Sequence, residues 1–454
     1  MGTRISFALS ALLLCANDVH AFDKFTIDLP VVGISASPGQ QLQDAVNDPT
    51  NADVRIRLAP GTYQLDPTRL NGGRLVFQPG MEISGANEYV DCDRDGVWDP
   101  IGACAGGDFD PHSFTTNGST TVIDGTLISS ALPAPIGAAA VVRMGRDNII
   151  SGVTIRAPRR AAVAGSVDVN LTSAGEGAIA VLRDSILEGG QRGVRCNNGA
   201  PAVSGIASSA LLERNVIRDI QPVPNAPFSF GIQVQNSAAT GSSWEVTLRN
   251  NRVYAARFGL FIVGNNSRMA ETRILSIGNV IHRNELGIWI TAGFAPVGGP
   301  PGDAANDNQI YFVSNKDRIE DNVSPTERLA AFMDMGGGLV ALAAGRDTVT
   351  AGACSRNQVR LQLLGTTFRG NRRVDDVRNL TVNGSLSSAA AGPEVGTENQ
   401  VHLLMRRTSG EGGAGAFVFD DSAPDDFTGS NLVRVIGSDV AFELANPDVW
   451  GANW

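Results

Sequence analysis

Apolar and polar residues alternate with a period of two along most of the chain, in short runs separated by Gly, Pro, Asn and Asp. Such runs predict β-strands joined by turns, because successive side chains of a strand point to opposite faces. In the middle of the chain the runs repeat. Four segments carry the same residue types at the same offsets, at 182–187, 212–217, 248–253 and 276–281. Each is followed by an apolar strand led by glycine, at Gly193, Gly231, Gly259 and Gly287.

A repeat of about thirty residues built only from strands and turns predicts a solenoid, because one such unit cannot bury its apolar face alone. We therefore expect an all-β fold, a right-handed parallel β-helix. Equivalent residues of stacked coils lie about 4.8 Å apart. Asn215, Asn251 and Asn279 would then form an internal ladder of amide hydrogen bonds, begun by Ser185 and continued by Thr366.

The segment after residue 21 predicts the entrance to this solenoid. PGQQLQDAVND spaces Leu42, Ala45 and Val46 as an amphipathic helix does, so it would cap the open end of the apolar core. VRIRLAPGTYQL, GRLVFQPGMEISG and STTVIDGT then alternate as strands. We expect a cap and first coils over 22–140, with an insertion at about 87–118, and the β-helix with its C-terminal cap over 141–454. Further strands that follow an Asn are expected at 308–313, 357–364, 399–405 and 431–437.

These N-terminal motifs carry a family resemblance. The helix, LAPGTYQL, MEISG and TVIDG resemble the first coils of secreted, pectate-lyase-like right-handed β-helix proteins, and the Asn and Gly repeats extend the resemblance over most of the chain. It implies a substrate groove along one parallel sheet, here the sheet of Gly-led strands. The polygalacturonase Gly-His-Gly motif is absent, and the pectin methylesterase and pectate lyase signatures are not evident.

One outward position per coil on that sheet forms a candidate binding column. An arginine, an amide and two aromatic rings suit a sugar chain, because rings stack on pyranose faces and polar groups bind hydroxyls or carboxylates. The candidate substrate-binding residues are Arg195, Gln233, Phe261 and Trp289. The alternative is that the long loop 291–307 covers Phe261 and Trp289.

Two enzyme reactions and one binding role fit this arrangement. A polysaccharide lyase needs a base and a cation beside a uronate carboxylate, which Arg257 could provide together with Tyr254, His282 or Arg195. An inverting glycoside hydrolase needs two carboxyls about 6.5–9.5 Å apart, for which Asp219 and Glu285 are candidates. The alternative is a non-catalytic secreted or cell-surface β-helix that binds glycans or has a structural role.

Composition and charge narrow the class of partner. The 454-residue chain has 52 glycines and a formal net charge of −10, which argues against nucleic acid. Residues 1–21 combine Arg4, a short apolar run and a small residue at Ala21, the pattern of a secretory signal. The run is too short to span a membrane, so we expect a secreted protein. The polysaccharide partner is what the family resemblance implies.

The insertion carries a candidate metal site, DCDRDGVWDPIGAC at 91–104. Alternate carboxylates followed by a turn glycine provide the oxygen ligands that Ca²⁺ prefers, and the spacing resembles thrombospondin type 3 calcium repeats. A solvated acidic turn is the alternative. The candidate ligands of a structural Ca²⁺ are Asp91, Asp93, Asp95 and Asp99. Cys92 and Cys104 are expected to form a disulfide in an oxidising compartment, whereas Cys196 and Cys354 fit buried thiols.

Overall fold

Successive coils of the chain pass through three parallel sheets in a fixed order. The structure is a computed structural model that describes residues 24–87, 89–90, 99–100, 120–128, 140–158, 165–170, 177–198, 205–221, 228–237, 240–265, 267–295, 305–324, 337–346, 354–373, 376–377, 379–386, 398–410, 417–420 and 432–438. Sheet A has twelve strands, and sheets B and C have ten each. The predicted right-handed parallel β-helix is confirmed.

The bounds of the strands show the repeat. Sheet A comprises Thr26–Leu29, Arg55–Leu58, Glu82–Ser84, Asn148–Ser151, Ile179–Arg183, Ala207–Glu213, Ser243–Arg249, Glu271–Ile277, Gln309–Asn315, Gln358–Leu364, Gln400–Arg406 and Leu432–Ser438. Sheet B comprises Gly61–Gln64, Thr121–Asp124, Thr154–Arg156, Ile186–Glu188, Val216–Arg218, Arg252–Tyr254, Val280–His282, Arg318–Glu320, Thr367–Arg369 and Ser409–Gly410. Sheet C comprises Leu75–Val76, Ala140–Met144, Gly165–Asn170, Arg192–Asn197, Phe230–Ser237, Phe258–Asn265, Leu286–Ala295, Leu339–Arg346, Leu380–Leu386 and Phe417–Asp420.

Two smaller sheets accompany these three. Tyr89–Val90 pairs antiparallel with Asp99–Pro100. Val323–Ser324 pairs parallel with Arg372–Arg373, which in turn pairs antiparallel with Asp376–Val377. All three pairings are short and lie outside the three long sheets.

The predicted capping helix is the α-helix Pro38–Asn47. Ser37 Oγ accepts a hydrogen bond from the Gln40 backbone N–H at 3.3 Å, and the Gln40 side chain accepts one from the Ser37 N–H at 3.2 Å. This reciprocal cap satisfies donors that the first turn leaves open. Leu42 and Val46 are completely buried, so the apolar stripe covers the end of the core as the sequence predicts. A short 3₁₀ segment, Leu70–Gly73, follows.

The core is a continuous column of apolar side chains inside the three sheets. Along Gln358–Leu364, Val359, Leu361 and Leu363 are buried, whereas the residues between them are half-buried on the outer face. This alternation is the period-two pattern of the sequence, with one face of each strand turned to the core. The later strands of sheet A begin one residue after the Asn that the sequence analysis places at their entrance.

The polar ladder lies at the corner between sheets A and B. Asn215 donates its side-chain amide to Asn251 Oδ1 at 3.0 Å, and Asn251 donates to Asn279 Oδ1 at 2.9 Å. Ser185 joins through its backbone N–H, which donates to Asn215 Oδ1 at 3.1 Å. The sequence analysis missed one member, because an aspartate, Asp317, occupies the coil between Asn279 and Thr366. Asp317 Oδ1 accepts from the Asn279 backbone at 2.7 Å.

Two further amide ladders close the other corners of the coil. Between sheets B and C, Asn284 donates to Asn322 Oδ1 at 3.0 Å, and Asn322 donates to Asn371 Oδ1 at 2.9 Å. At the entrance to sheet A, the side-chain amide of Asn308 donates to Asn357 Oδ1 at 3.1 Å. Each ladder satisfies backbone groups that the turns remove from the strand pairing, which allows these corners to be buried.

We expect the substitution Asp317→Asn to stabilise the protein at neutral pH. Burial raises the pKa of Asp317 to about 6 from its ordinary 3.8, although hydrogen bonds from Ser314, Ser276 and Asn279 oppose this shift. Between about pH 4 and 6 the folded chain therefore keeps a proton here that the unfolded chain has lost, and stability falls as the pH rises through this range. At neutral pH the carboxylate is ionised in both states, and its burial destabilises the fold. An asparagine has no such dependence, and the gain should be roughly 1–3 kcal/mol.

Urea unfolding at neutral and at mildly acidic pH measures this effect. The advantage of Asp317→Asn should shrink on acidification, because the native carboxyl then becomes neutral. Asn279→Asp is the matched control, since it places a second buried carboxyl beside the first and should destabilise. A variant Asp317→Asn that is less stable than the native protein at neutral pH would contradict the argument.

Several sequence predictions fall outside this description. The signal segment 1–21, the calcium ligands Asp91, Asp93 and Asp95, and both cysteines of the predicted disulfide lie outside the described residues. Cys196 and Cys354 are buried. Within the described ranges, the helices are too short and too polar to cross a membrane.

Candidate functional site

The four predicted substrate-binding residues form one column on the outer face of sheet C. Arg195 is the register partner of Gln233, Gln233 of Phe261, and Phe261 of Trp289. On the side of the earlier coils the column continues through Asp168 to Arg143. The structure thus brings these residues together in a line along the helix axis, while their roles stay predictions.

Exposure differs between the residues of this column. Arg195 and Phe261 are half-buried, whereas Gln233 is 5% and Trp289 only 2% exposed. The next outward residue, Val340, is completely buried. The column is therefore accessible at Arg195 and Phe261 and covered from Trp289 onwards. Of the loop 291–307 proposed as a cover, residues 296–304 lie outside the described ranges.

Trp289 belongs to an aromatic cluster on the outside of the β-helix, comprising Phe228, Phe230, Phe258, Phe261 and Trp289. The rings of Phe230 and Phe261 are 4.7 Å apart, and Trp289 meets Phe258 edge-on at 6.2 Å. The sequence analysis missed three of these rings. Two of them, Phe230 and Phe258, could have been found from the sequence, because each directly precedes a leading glycine in successive coils. The other rings of the cluster form an apolar surface next to the half-buried Phe261.

Three arginines lie on the same face of sheet C as this aromatic cluster. Arg143, Arg192 and Arg195 are half-buried on the outer face of sheet C, and the Arg192 guanidinium lies 5.9 Å from the Phe230 ring centroid. Gln233 donates to Gln235 Oε1 at 2.8 Å, and Gln233 Oε1 is buried without a hydrogen-bond partner among the described residues. Guanidinium groups bind carboxylates in a fixed geometry, and an amide oxygen accepts from a hydroxyl. The set can therefore bind an acidic sugar.

Arg257 and Glu285, both predicted as catalytic, form an ion pair at the edge where sheet B leads into sheet C. Arg257 Nε lies 2.7 Å from Glu285 Oε2, with the two side chains 4% and 29% exposed. The Arg257 guanidinium also lies 5.7 Å from the Phe228 ring centroid. The guanidinium already donates to a carboxylate, so this geometry does not support Arg257 as a base. It instead fixes the position of Glu285.

Asp219 lies apart from Glu285 in the turn. Asp219 directly follows its sheet B strand and has a φ of 56°, as do the equivalent Ala255 and Arg283 in the next coils, at 55° and 53°. Glu285 lies two residues beyond Arg283, next to the first strand residue of sheet C. The two carboxyls therefore lie at different positions of the coil, and their role in hydrolysis stays a prediction.

His282 lies in a charged column on the outer face of sheet B, where Tyr254 is its register partner. The two rings are 5.0 Å apart. Burial, followed by Arg252, Arg283 and Arg318, lowers the pKa of His282 to about 3. Its Nε2 is buried without a hydrogen-bond partner among the described residues. His282 is neutral at physiological pH and a weak base, because general bases work best when their pKa lies near the operating pH.

The same column contains a network around Glu188. Arg156 and Arg218 both donate to this carboxylate, the latter at 2.9 Å. Burial would raise the pKa of Glu188, but the two arginines outweigh it and lower the pKa. Burial also raises the pKa of Tyr254, against the opposing effect of Arg218. These shifts keep Glu188 ionised and Tyr254 protonated, which is typical of a structural network.

The candidate calcium site is only partly described. Asp99 begins the strand Asp99–Pro100, and the other three predicted ligands lie outside the described residues. Within the described ranges, no group of three or more His, Cys, Asp or Glu side chains is arranged to hold a metal ion. Calcium binding and the disulfide stay predictions.

Neither a scan against protein-family models nor a search of curated proteins finds a match to this chain. Among solved structures, the A-module of the mannuronan C-5 epimerase AlgE6 from Azotobacter vinelandii is 10% identical, covers 90% of this chain and 96% of its own, and gives a TM-score of 0.38. The AlgE4 A-module from the same organism is 13% identical over 91% of this chain and 95% of its own, with a TM-score of 0.37.

A third similar structure, a family 28 exopolygalacturonase from Yersinia enterocolitica, is 9% identical over 92% of this chain and 77% of its own, with a TM-score of 0.19. At such scores these likenesses carry no argument about the chemistry of the site. The functional argument therefore rests on the side chains of this chain.

Proposed function

We propose that the protein binds an anionic extracellular polysaccharide along the outer face of sheet C. The observation that carries this proposal is the column in which Arg195, Gln233 and Phe261 are register partners, beside the half-buried Arg143 and Arg192. The guanidinium groups would bind carboxylates, Gln233 Oε1 would accept a hydroxyl, and Phe261 would pack against a sugar ring. Trp289 packs in the same aromatic cluster as Phe261.

Binding is better supported than a reaction. Arg257 is held by Glu285, and the pKa of His282 is far below neutral. Elimination is nevertheless the reaction to test first, because a cation that binds a uronate carboxylate also neutralises it as the neighbouring proton leaves. Hydrolysis by Asp219 and Glu285 has less support, since they are not register partners.

We expect Arg195→Gln to lower the affinity for polygalacturonate by about tenfold, because it removes a charge-assisted contact and leaves the fold intact. Arg183→Gln is the matched control, an equal change of charge at an exposed position of sheet A. Binding is measured at low ionic strength with the purified protein, against neutral dextran and with or without calcium. Equal affinity of Arg195→Gln and the native protein would overturn the proposed site.

The reaction is tested on the same polysaccharides. Ultraviolet absorbance of an unsaturated product that disappears in His282→Gln would establish elimination with this residue, and reducing ends without that absorbance would establish hydrolysis. Binding without either signal identifies a glycan-binding protein. Absence of binding to every anionic polysaccharide tested would refute the proposed function.

A calcium-dependent melting temperature that is lost in Asp93→Asn would support the predicted structural Ca²⁺ site.

A further inference from the structure

The outer face of sheet A separates its charges along the helix axis. On its last four strands, Gln309–Asn315, Gln358–Leu364, Gln400–Arg406 and Leu432–Ser438, the sequence contains no Asp or Glu. Every charged residue in these strands is an arginine, whereas the whole chain carries a net charge of −10. A cationic face on an acidic protein indicates a specific anionic partner, because net charge alone would repel one.

A single column organises this cationic face. Tyr311 is the register partner of Arg360, Arg360 of His402, and His402 of Arg434. Arg434 is exposed, and the other three are half-buried. Since neighbouring strands are about 4.8 Å apart, Arg360 and Arg434 lie about 10 Å from each other along the axis. This spacing suits a linear polymer with regularly repeated negative charges.

A row of glutamines holds the column in place. Tyr311 donates to Gln309 Oε1 at 2.6 Å, and Arg360 Nε donates to Gln358 Oε1 at 3.0 Å. In the next strand, a ring nitrogen of His402 lies 3.2 Å from Gln400 Oε1. Each of these side chains is therefore oriented by the glutamine two residues before it. Such preorganisation lowers the entropy lost when a ligand binds.

Aromatic packing further orders Arg360. Its guanidinium lies 5.2 Å from the Tyr311 ring centroid, and Arg273 lies 5.7 Å from the same ring. Arg273 is paired with Glu271 and Glu245, whereas Arg360, Arg406 and Arg434 have no carboxylate partner among the described residues. The positive charge of this face is thus concentrated on its last three strands.

Two carboxylates lie in the turn before these strands. Asp307 binds Arg356 at 2.7 Å, and Glu398 in the next coil also acts on Arg356. Within the column, burial and then Arg360 and Arg434 lower the pKa of His402, so two guanidinium charges converge on the position between them. An anion at this position would relieve that repulsion.

We propose that this cationic face is a second binding site for an anionic polysaccharide, with Arg360, Arg406 and Arg434 binding its acidic groups. The surface follows from its own charges and contacts. The choice of a polysaccharide over another polyanion rests on the proposed function. Sheets A and C are different sheets of the coil, so the second site would hold a chain that sheet C does not contact.

The test compares binding of polygalacturonate to the full chain and to three variants. The double variant Arg360→Gln/Arg434→Gln should lower the affinity about tenfold and flatten its salt dependence, because two cation contacts are lost. Arg183→Gln should bind as the native protein does. Circular dichroism checks that each variant is folded.

The outcomes separate the two sites. Loss of affinity in the double variant with Arg195→Gln unchanged supports the cationic face and overturns the sheet C site, and the reverse result overturns the cationic face alone. Losses in both support two sites. Single-stranded oligonucleotide bound as tightly as polygalacturonate, with the same loss in the double variant, would overturn the choice of a polysaccharide. No binding of any polyanion would refute both proposals.

Discussion

Asn251→Ala should destabilise the protein by roughly 3–5 kcal/mol, because several buried hydrogen bonds meet at this one side chain. Asn251 Oδ1 accepts from the backbone and the side-chain amide of Asn215, each at 3.0 Å. Its Nδ2 donates to the Leu212 carbonyl at 2.8 Å and to Asn279 Oδ1 at 2.9 Å. Alanine leaves the Asn215 N–H and the Leu212 carbonyl buried without these partners, and it opens a cavity.

The neighbouring asparagine provides the control for this prediction. Asn250 is half-buried and has a φ of 51°, a conformation that glycine adopts readily. Asn250→Gly should therefore change the free energy of unfolding by less than about 1 kcal/mol. Urea unfolding followed by circular dichroism measures both variants. Similar losses in the two variants would show that the ladder contributes no more than the turn beside it.

The fold could be predicted because two positions of each coil accept few residue types. The ladder position needs a short side chain that both donates and accepts, and the first position of the Gly-led strand needs no side chain at all. Both requirements restrict the residue type at one position of every repeat, so the repeats can be aligned in the sequence. Asp317 was missed because the ladder was expected to contain only amide and hydroxyl side chains. Its offset from the following strand Arg318–Glu320 nevertheless matches that of Asn279 from Val280–His282.

The site was less predictable, because burial of an outward side chain depends on segments outside the repeat. The alternation of residues correctly placed Arg195, Gln233, Phe261 and Trp289 on one face. It carried no information that Trp289 is 2% exposed while Phe261 is half-buried. In the structure, Trp289 packs edge-on against Phe258 in the preceding coil, a contact that the alternation within one strand does not indicate.

Pairing between coils was a second limit. Arg257 and Glu285 are both chemically suited to catalysis when each is considered alone. They are 28 residues apart, as are Asn251 and Asn279, so stacking places them side by side. Opposite charges in adjacent coils then bind each other first. A residue of a β-helix is therefore better judged together with the residue one coil away than by its own chemistry.

Gly259→Ala should destabilise the protein by about 3 kcal/mol, because the coils approach too closely here for a methyl group. A Cβ on Gly259 would lie 2.6 Å from the Gly287 carbonyl oxygen, 2.6 Å from Ile281 Cγ2 and 2.9 Å from Asn284 Nδ2. Gly241→Ala is the control, since a Cβ there meets nothing nearer than 4.0 Å and only its φ of 66° is strained, at about 1–2 kcal/mol. Urea unfolding should thus rank Gly259→Ala as the less stable variant. The opposite ranking would mean that the close stacking of coils does not explain the strongest repeat in the sequence.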